Sequence, residues 1–174
     1  MTAVTQQIEV VEDGVPLAFT FDDMLRYSGP DSPGGVALAF KALELAFSVI
    51  AADRPPERRR VDIDTAFRGP GARDGFELVT RCTTEGRYVV DARLERPERG
   101  VALEQFVFRL RSRERSVTLL LREGQVTDEF IAMARNPDRT PDDENRFMGL
   151  KQAMADGLMA QPADAVFELD PARA

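Results

Sequence analysis

The longest apolar segment of the chain runs from residue 36 to residue 52, and only Lys41, Glu44 and Ser48 interrupt it. Its apolar positions recur at three- and four-residue spacing, which is typical of an amphipathic helix. They form one continuous face: Val36, Phe40, Leu43, Phe47 and Ile50. A second set makes the adjoining face apolar as well: Leu38, Leu45 and Val49. A helix that is apolar over most of its circumference packs on two sides, so we predict a buried central helix.

The loop before this segment has the features of a helix start. Ser32 suits the N-cap position, and Pro33 suits the first helical position, where its missing N–H costs nothing. Gly34 and Gly35 would let another backbone or a ligand come close. The free N–H groups of a helix start also bind anions or polar ligands. The segment 27–35 is therefore the first candidate for a functional site.

Shorter patterns on either side predict a mixed α+β fold. Thr20 and Asp23 have the spacing of a capping box, which predicts a helix from Phe21 to about Tyr27. Alternating apolar positions predict strands, and the short connections between the last three favour an antiparallel meander. We expect strands at 61–67, 87–94, 101–111 and 116–122, and further helices at 74–81, 125–135 and 141–160. The predicted architecture is a long central helix packed on an antiparallel meander sheet, with additional C-terminal helices.

Length and composition favour a single domain. The chain has 174 residues, of which 43% are hydrophobic, and this is enough to bury one core. We divide it into an N-terminal extension at 1–18, one α+β domain at 19–169 and a tail at 170–174. The turn signal Asp13-Gly14 follows a short apolar pattern that is compatible with a strand. The N-terminus lacks a basic start followed by an apolar run, and no segment reaches roughly 18 uninterrupted apolar residues, so we expect a cytoplasmic protein without a membrane partner.

Charge and metal-ligand content argue against several classes of function. The net charge of −7 argues against a general nucleic-acid binder, because binding phosphates needs clustered positive charge. The single cysteine, Cys82, excludes an internal disulfide. Since the chain also has no histidine, we predict no zinc or transition-metal site and no cofactor. A magnesium or calcium site made of carboxylates stays open.

Two motifs and their order along the chain carry a family resemblance. The first is Tyr27-Ser-Gly-Pro-Asp-Ser-Pro-Gly34, which precedes the long helix, and the second is Asp74-Gly-Phe-Glu-Leu-Val-Thr-Arg-Cys-Thr83. A strand meander and an acidic terminal helix follow, closed by Phe167-Glu-Leu169. Over residues 19–169 this order resembles the FmdE-like family, which takes its name from a component of formylmethanofuran dehydrogenase. That family has an aromatic-His-Gly-His-x-Cys-Pro-Gly loop and a downstream Asp-Ala-Ile-Gln-x-x-Thr-Gly-Cys-Thr segment.

The chain departs from this family where the family holds a metal such as zinc. Ser28, Pro30 and Ser32 stand at the positions of the two histidines and the cysteine of the loop, and none of them is a soft ligand. The backbone framework of the loop is retained: Gly29, Pro33 and Gly34. In the second motif Arg81 replaces glycine, whereas Cys82 and Thr83 agree. The resemblance therefore implies the fold and the position of a pocket, and it argues against the metal.

The two motifs together supply the candidate ligand-binding residues: Tyr27, Ser28, Asp31, Ser32, Arg81, Cys82 and Thr83. Each has a purely structural alternative. Ser32 could only cap the helix and Asp31 could only shape the turn, while Arg81 could only complement a helix dipole. Cys82 could be an inert buried thiol, because the chain has no histidine to act as its base.

The leading functional hypothesis is a non-catalytic FmdE-like domain with a degenerate metal site, which serves as a small-molecule-binding or assembly module. The first alternative is an enzyme of unknown reaction in which Asp31, Ser32, Cys82 and Thr83 converge in the equivalent pocket. The second is an accessory component of a redox complex of the formylmethanofuran dehydrogenase type, which the resemblance alone suggests. Discriminating among them requires knowing which of these residues meet.

The central helix also bears on assembly. One sheet can cover only one of its apolar faces, so the face with Leu38, Leu45 and Val49 needs a second apolar neighbour. Either the terminal helix at 141–160 covers it within the chain, or the same surface of a second copy does. We expect a twofold homodimer, since self-complementary apolar surfaces generally close with twofold symmetry.

Overall fold

A computed structural model describes residues 6–171 of the chain. Residues 1–5 of the predicted N-terminal extension and 172–174 of the predicted tail lie outside the described residues. The helices are α1 Phe21–Ser28, α2 Pro33–Ile50, α3 Pro70–Thr80, α4 Asp128–Arg135, α5 Pro141–Met159 and α6 Ala163–Val166. The strands are β1 Gln7–Glu12, β2 Val15–Thr20, β3 Val61–Thr65, β4 Tyr88–Val90, β5 Val107–Ser112, β6 Arg115–Leu121 and β7 Phe167–Leu169.

The architecture is α+β, as the sequence predicts. Five strands form a mixed sheet in the order β4-β3-β5-β6-β7, and β1 pairs with β2 in a separate antiparallel hairpin. The antiparallel meander is confirmed for β5 and β6, which correspond to the strands predicted at 101–111 and 116–122. The strand β7, which was not predicted, pairs antiparallel with β6 after three helices. The strand predicted at 87–94 is not part of the meander, because β4 pairs in parallel with β3. The physical reason is that α3 connects β3 to β4, and a helical crossover of this kind returns the chain in the same direction.

Two predicted strands are shorter than expected. The strand predicted at 87–94 ends at Val90, since the side chain of Asp91 accepts the N–H of Arg93 and starts a 3₁₀ turn at Ala92–Leu94. The strand predicted at 101–111 begins only at Val107. Residues 101–105 form turns, although Leu103 is buried in the core. In this segment the apolar alternation correctly predicted that Leu103 is buried, but it wrongly predicted that residues 101–105 pair in a strand.

Helix α2 lies at the centre of the fold. It packs against α3, α5 and the sheet, and Leu38 is fully buried. The terminal helix α5 thus covers α2 within the chain, which is one of the two arrangements expected from the sequence. Leu45 remains half-buried and Val49 is 38% exposed, both in the C-terminal half of α2. The homodimer stays a prediction. The apolar surface of α2 that remains available for it lies in this half of the helix.

The length and composition of α2 also match those of a membrane span. It is the one helix within residues 6–171 that is long and apolar enough by these two measures. However, 67% of its 18-residue window is buried inside the fold. A core helix meets the same test, and the packing of α3, α5 and the sheet around α2 accounts for its apolar surface.

Helices α2 and α3 are in direct backbone contact through glycines. A β carbon on Gly71 would lie 2.3 Å from the carbonyl oxygen of Ser32, and one on Gly35 would lie 2.9 Å from the amide nitrogen of Ala72. A β carbon on Gly75 would lie 2.8 Å from Cβ of Ala39, one turn further along both helices. The contacts advance together along the two helices, so α2 and α3 run parallel. Their N-termini therefore lie side by side.

The N-terminal hairpin is tied to this core. Its turn, Asp13-Gly14, has φ values of 51° and 80°, as a two-residue type I′ turn requires. Ile8 and Val10 of β1 are buried in the main core. Arg58 joins the hairpin to α3, because its guanidinium donates to Glu12 Oε2 at 3.0 Å and to the carbonyl of Val79 at 3.2 Å.

Candidate functional site

A cavity of about 400 Å³ opens where α2 and α3 begin. Its walls come from the start of α2, the segment 67–71, the turns at 101–106, and helices α4 and α5. The lining residues are Ser32, Gly34, Gly35, Phe67, Arg68, Gly69, Pro70, Gly71, Val101, Ala102, Gln105, Phe106, Phe130, Ile131, Ala134, Arg135, Phe147 and Lys151. A volume of this size lies within the range of small-molecule sites in proteins.

The start of α2 offers unused N–H donors to the cavity. Ser32 is the N-cap residue and Pro33 begins the helix, as predicted. The predicted capping hydrogen bond is not made, however, because Ser32 has ψ 53° instead of an extended value and its β carbon packs against Gly71. The first turn of α2 contains no acidic residue. The N–H groups of Gly34 and Gly35 have no partner within the helix, since a helix leaves its first amides unpaired.

The start of α3 repeats the same arrangement beside it. Gly69 is the N-cap residue and makes no side-chain cap, Pro70 is the first helical residue, and the first turn contains no acid. The amide of Gly71 is therefore a further free donor of the kind every helix start provides. Because α2 and α3 are parallel, the positive ends of both helix dipoles face one place. Two adjacent helix starts form a site suited to an anion.

The charged side chains that line the cavity are all cations: Arg68, Arg135 and Lys151. Lys151 Nζ donates to the carbonyl oxygen of Asp31 at 2.9 Å and lies 4.5 Å from the ring centre of Phe147. Arg135 pairs with Glu104 at 3.3 Å. Arg68 is exposed and makes no ion pair or hydrogen bond within residues 6–171. Lys151 likewise has no carboxylate partner in the described part of the chain.

Two aromatic pairs form the apolar walls. Phe67 and Phe106 stack with ring centres 4.9 Å apart. Phe130 of α4 and Phe147 of α5 pack with ring centres 5.4 Å apart. Aromatic side chains supply large apolar contact surfaces, so these walls suit a flat or ring-shaped apolar group. The cavity therefore combines cationic side chains with aromatic walls.

Of the residues predicted for the site, Ser32 alone lines this cavity. Asp31 contributes indirectly, since its backbone carbonyl fixes Lys151. Ser28 points elsewhere, because its hydroxyl donates to Asp74 Oδ2 at 3.0 Å. Tyr27 is 48% exposed near the end of α1. The first motif thus frames the cavity with its backbone more than with its side chains.

The predicted residues of the second motif lie at the opposite end of α3. Arg81, Cys82 and Thr83 follow the C-terminus of this 11-residue helix, about 16 Å from its start. The structure does not bring Asp31 and Ser32 together with Cys82 and Thr83, because α2 and α3 run parallel and the first motif meets the N-terminus of α3. Burial raises the pKa of the Cys82 thiol, so it is a poor nucleophile.

The second motif ends α3 instead. Arg81 has φ 58° and ψ 23°, the left-handed conformation of a helix stop. The buried carboxylate of Glu77 accepts the N–H groups of Thr83 at 2.7 Å and Thr84 at 3.1 Å. Thr83 and Arg81 therefore have structural roles in the described fold.

The residues at the family's metal positions do not fit a metal ion. Within residues 6–171 no group of three or more histidine, cysteine, aspartate or glutamate side chains could hold one. Pro30 has no donor side chain, and the hydroxyl of Ser28 is engaged by Asp74. Ser32 lines a cavity whose charged side chains are cations, which would repel a metal ion.

The sequence interpretation missed Arg68, Arg135 and Lys151. They come from three distant segments and line one cavity only in the folded chain. One signal was available: Pro33-Gly-Gly35 and Pro70-Gly-Ala72 have the same Pro-Gly helix start, although Gly69-Pro-Gly71 is equally typical of a turn. No protein-family model matches the chain, and no curated protein matches it. The function of the cavity is therefore inferred from its own residues.

Proposed function

We propose that the protein is a non-catalytic small-molecule-binding domain and that the cavity at the starts of α2 and α3 is its binding site. The observation that carries this proposal is the cavity itself, which has a volume of about 400 Å³ and aromatic walls. Its polar groups include the paired helix starts and three cationic side chains. Small-molecule sites have this composition, in which apolar walls supply affinity and a few polar groups supply orientation.

We also propose that the chain is a divergent member of the FmdE-like group. The residues that it retains from the family loop occupy positions with backbone requirements. Gly29 has φ 85°, which other residues rarely adopt, and Pro33 is the first residue of α2. A β carbon on Gly34 would lie 3.0 Å from Sδ of Met154, so α5 packs closely there. The family's glycine at the position of Arg81 would likewise suit the left-handed helix stop.

The absence of a nucleophile–base pair among the residues lining the cavity supports a non-catalytic role. Ser32 lines the cavity, but none of the described lining residues is an acid or a histidine that could activate its hydroxyl. Lys151, which could also act as a base, donates to the carbonyl oxygen of Asp31 and makes no hydrogen bond with the Ser32 hydroxyl. The enzyme alternative required Cys82, which lies at the far end of α3. A role in a redox complex depends on the family resemblance alone.

Ligand-observed NMR with a set of neutral, acidic and basic aromatic fragments tests this function. Ala134 is exposed on α4 and lines the cavity, so Ala134→Trp fills the cavity without replacing a core side chain. Ala132→Trp is the matched control, because Ala132 is exposed on the same helix and does not line the cavity. We expect fragments that bind the wild type and Ala132→Trp but not Ala134→Trp.

Two results would contradict the proposed function. One is that no fragment binds the wild type at millimolar concentration. The other is that every bound fragment also binds Ala134→Trp equally well, which would locate binding outside the cavity. Thermal unfolding of both variants establishes beforehand that they are folded.

A further inference from the structure

We infer that the ligand of the cavity carries an anionic group, such as a carboxylate or phosphate, attached to an apolar ring-sized body. This inference rests on the proposed function and names its ligand class. The anionic group would lie against the starts of α2 and α3, and the body would lie between the aromatic walls. The sign of the charge is the central point.

The distribution of charge supports an anion. The chain has 30 acidic and 23 basic residues, yet the charged residues lining the cavity are all basic. Arg68 and Lys151 have no carboxylate within ion-pair distance among residues 6–171, so their charge is not compensated by the protein. Arginine and lysine that remain unpaired beside an apolar cavity attract an anion and disfavour a cation.

The backbone adds donors in the same place. Gly34, Gly35 and Gly71 line the cavity and belong to the first turns of α2 and α3, where a helix leaves its N–H groups unpaired. The parallel dipoles of α2 and α3 repel each other at their positive ends, and a bound anion relieves this repulsion. The side-chain charges and the backbone therefore favour the same sign of charge independently.

The aromatic pairs define the rest of the ligand. Phe67 with Phe106, and Phe130 with Phe147, form apolar walls of the cavity, so a strongly polar body would lose hydration against these rings without compensation. A fused aromatic ring would keep this contact apolar.

Three naphthalene probes of nearly equal shape test the charge: 2-naphthoate, the neutral 2-naphthamide and the cationic 2-naphthylmethylammonium. Naphthalene fluorescence reports their binding to the wild type without tryptophan background, because the chain contains no tryptophan. Binding to the two tryptophan variants is measured by ligand-observed NMR instead, because each variant introduces a tryptophan. We expect 2-naphthoate to bind at least about tenfold more tightly than 2-naphthamide, with the cation weakest. Ala134→Trp should abolish binding of 2-naphthoate and Ala132→Trp should not.

The variant Arg68→Gln tests the charge from the protein side, since Arg68 is exposed and holds no contact that folding depends on. This variant should bind 2-naphthoate about fivefold more weakly than the wild type and should bind 2-naphthamide with unchanged affinity. Arg60→Gln makes the same charge change at an exposed residue that does not line the cavity, and it should change neither affinity.

The outcomes separate this inference from the proposed function. If 2-naphthamide binds as tightly as 2-naphthoate, or if none of the three probes binds while other fragments do, the anionic ligand class is overturned and the cavity remains a binding site. An equal effect of Arg68→Gln and Arg60→Gln on 2-naphthoate overturns it as well. If no fragment of any charge binds in the cavity, the proposed function fails and the inference fails with it.

Discussion

Arg81 occupies a backbone position that suits glycine. Its φ of 58° is left-handed, and the N–H of this residue closes α3 on the carbonyl of Glu77. The side chain contributes little, because its ion pair with Glu77 has a separation of 3.9 Å and it is 37% exposed. A left-handed conformation costs a residue with a β carbon about 1 kcal/mol or more.

Substitutions of Arg81 therefore test whether the backbone is strained at this position. Arg81→Ala removes the side chain but keeps the strain, whereas Arg81→Gly removes both. We expect Arg81→Gly to be more stable than Arg81→Ala by about 1 kcal/mol in urea unfolding at pH 7. Equal stabilities, or a more stable alanine variant, would show that the position is not strained.

Asp64 is the most deeply placed charge of the sheet. It is 6% exposed, and its Oδ2 accepts hydrogen bonds from Arg109 Nε at 3.0 Å and from Arg111. Burial opposes ionisation of this carboxylate, but the hydrogen bonds from the two arginines outweigh it, so the pKa of Asp64 lies below its ordinary value. The ionised form therefore stabilises the native state.

Stability should depend on pH through Asp64. Since the native pKa is lowered, the contribution is fully present above the unfolded pKa near 3.9 and is lost as pH falls through the native value. We expect Asp64→Asn to lose about 2 kcal/mol at pH 7, because two arginines lose their partner. The difference from the wild type in urea unfolding should shrink between pH 5 and pH 3.

Asp138→Asn is the control for this pH series. Asp138 is exposed in the loop before α5, and its carboxylate makes no ion pair within residues 6–171. The substitution Asp138→Asn therefore removes one acidic group without removing a buried contact. A difference between wild type and Asp64→Asn that stays constant down to pH 3 would contradict the role assigned to Asp64.

At the scale of elements, the parallel contact between α2 and α3 creates the site. Its closest point is Gly71 against Ser32, where a β carbon would meet backbone atoms that cannot move separately from the helices. The contact keeps the two helix starts adjacent, so the cavity depends on it geometrically. Gly149, in the middle of α5, has nothing within 4 Å of its own β-carbon position.

These two glycines should respond to alanine with opposite signs. Gly71→Ala should lower the free energy of unfolding by about 2 kcal/mol, because the new methyl group overpacks the contact between α2 and α3. It should also lower the affinity for 2-naphthoate. Gly149→Ala should raise the free energy of unfolding by about 0.5–1 kcal/mol, since alanine favours the helix and meets no neighbour. Thermal and urea unfolding measure both. A stable Gly71→Ala protein with unchanged binding would exclude the close contact.

Local chemistry explains which elements the sequence predicted. The capping box of Thr20 with Asp23 forms as expected, because its partners are three residues apart. Thr140 and Asp143 form a second capping box with the same spacing at the start of α5. The pairing of β4 was wrong, because strand order depends on where α3 returns the chain. The cationic lining of the cavity could not be predicted either, because Arg68, Arg135 and Lys151 belong to segments that border one cavity only in the folded chain.

At the scale of the whole molecule, the C-terminal half of α2 bears on whether two copies associate. It keeps a short apolar stripe toward solvent, formed by half-buried Leu45 and exposed Val49 one turn later. Two such stripes would be self-complementary about a twofold axis. We predict a homodimer through this stripe and a monomeric Val49→Glu variant. Sedimentation equilibrium decides it, since a wild-type mass that stays near 19.4 kDa at rising micromolar concentration would exclude the dimer.

The ligand site at the paired starts of α2 and α3 is tested most directly by a crystal structure of the protein with 6-bromo-2-naphthoate, in which the anomalous signal of bromine fixes the orientation. We predict the carboxylate about 3 Å from the amide nitrogens of Gly34, Gly35 or Gly71, and the bromine on the side of Phe130 and Phe147. A bromine peak outside the cavity, or a carboxylate that points away from both helix starts, would contradict this assignment.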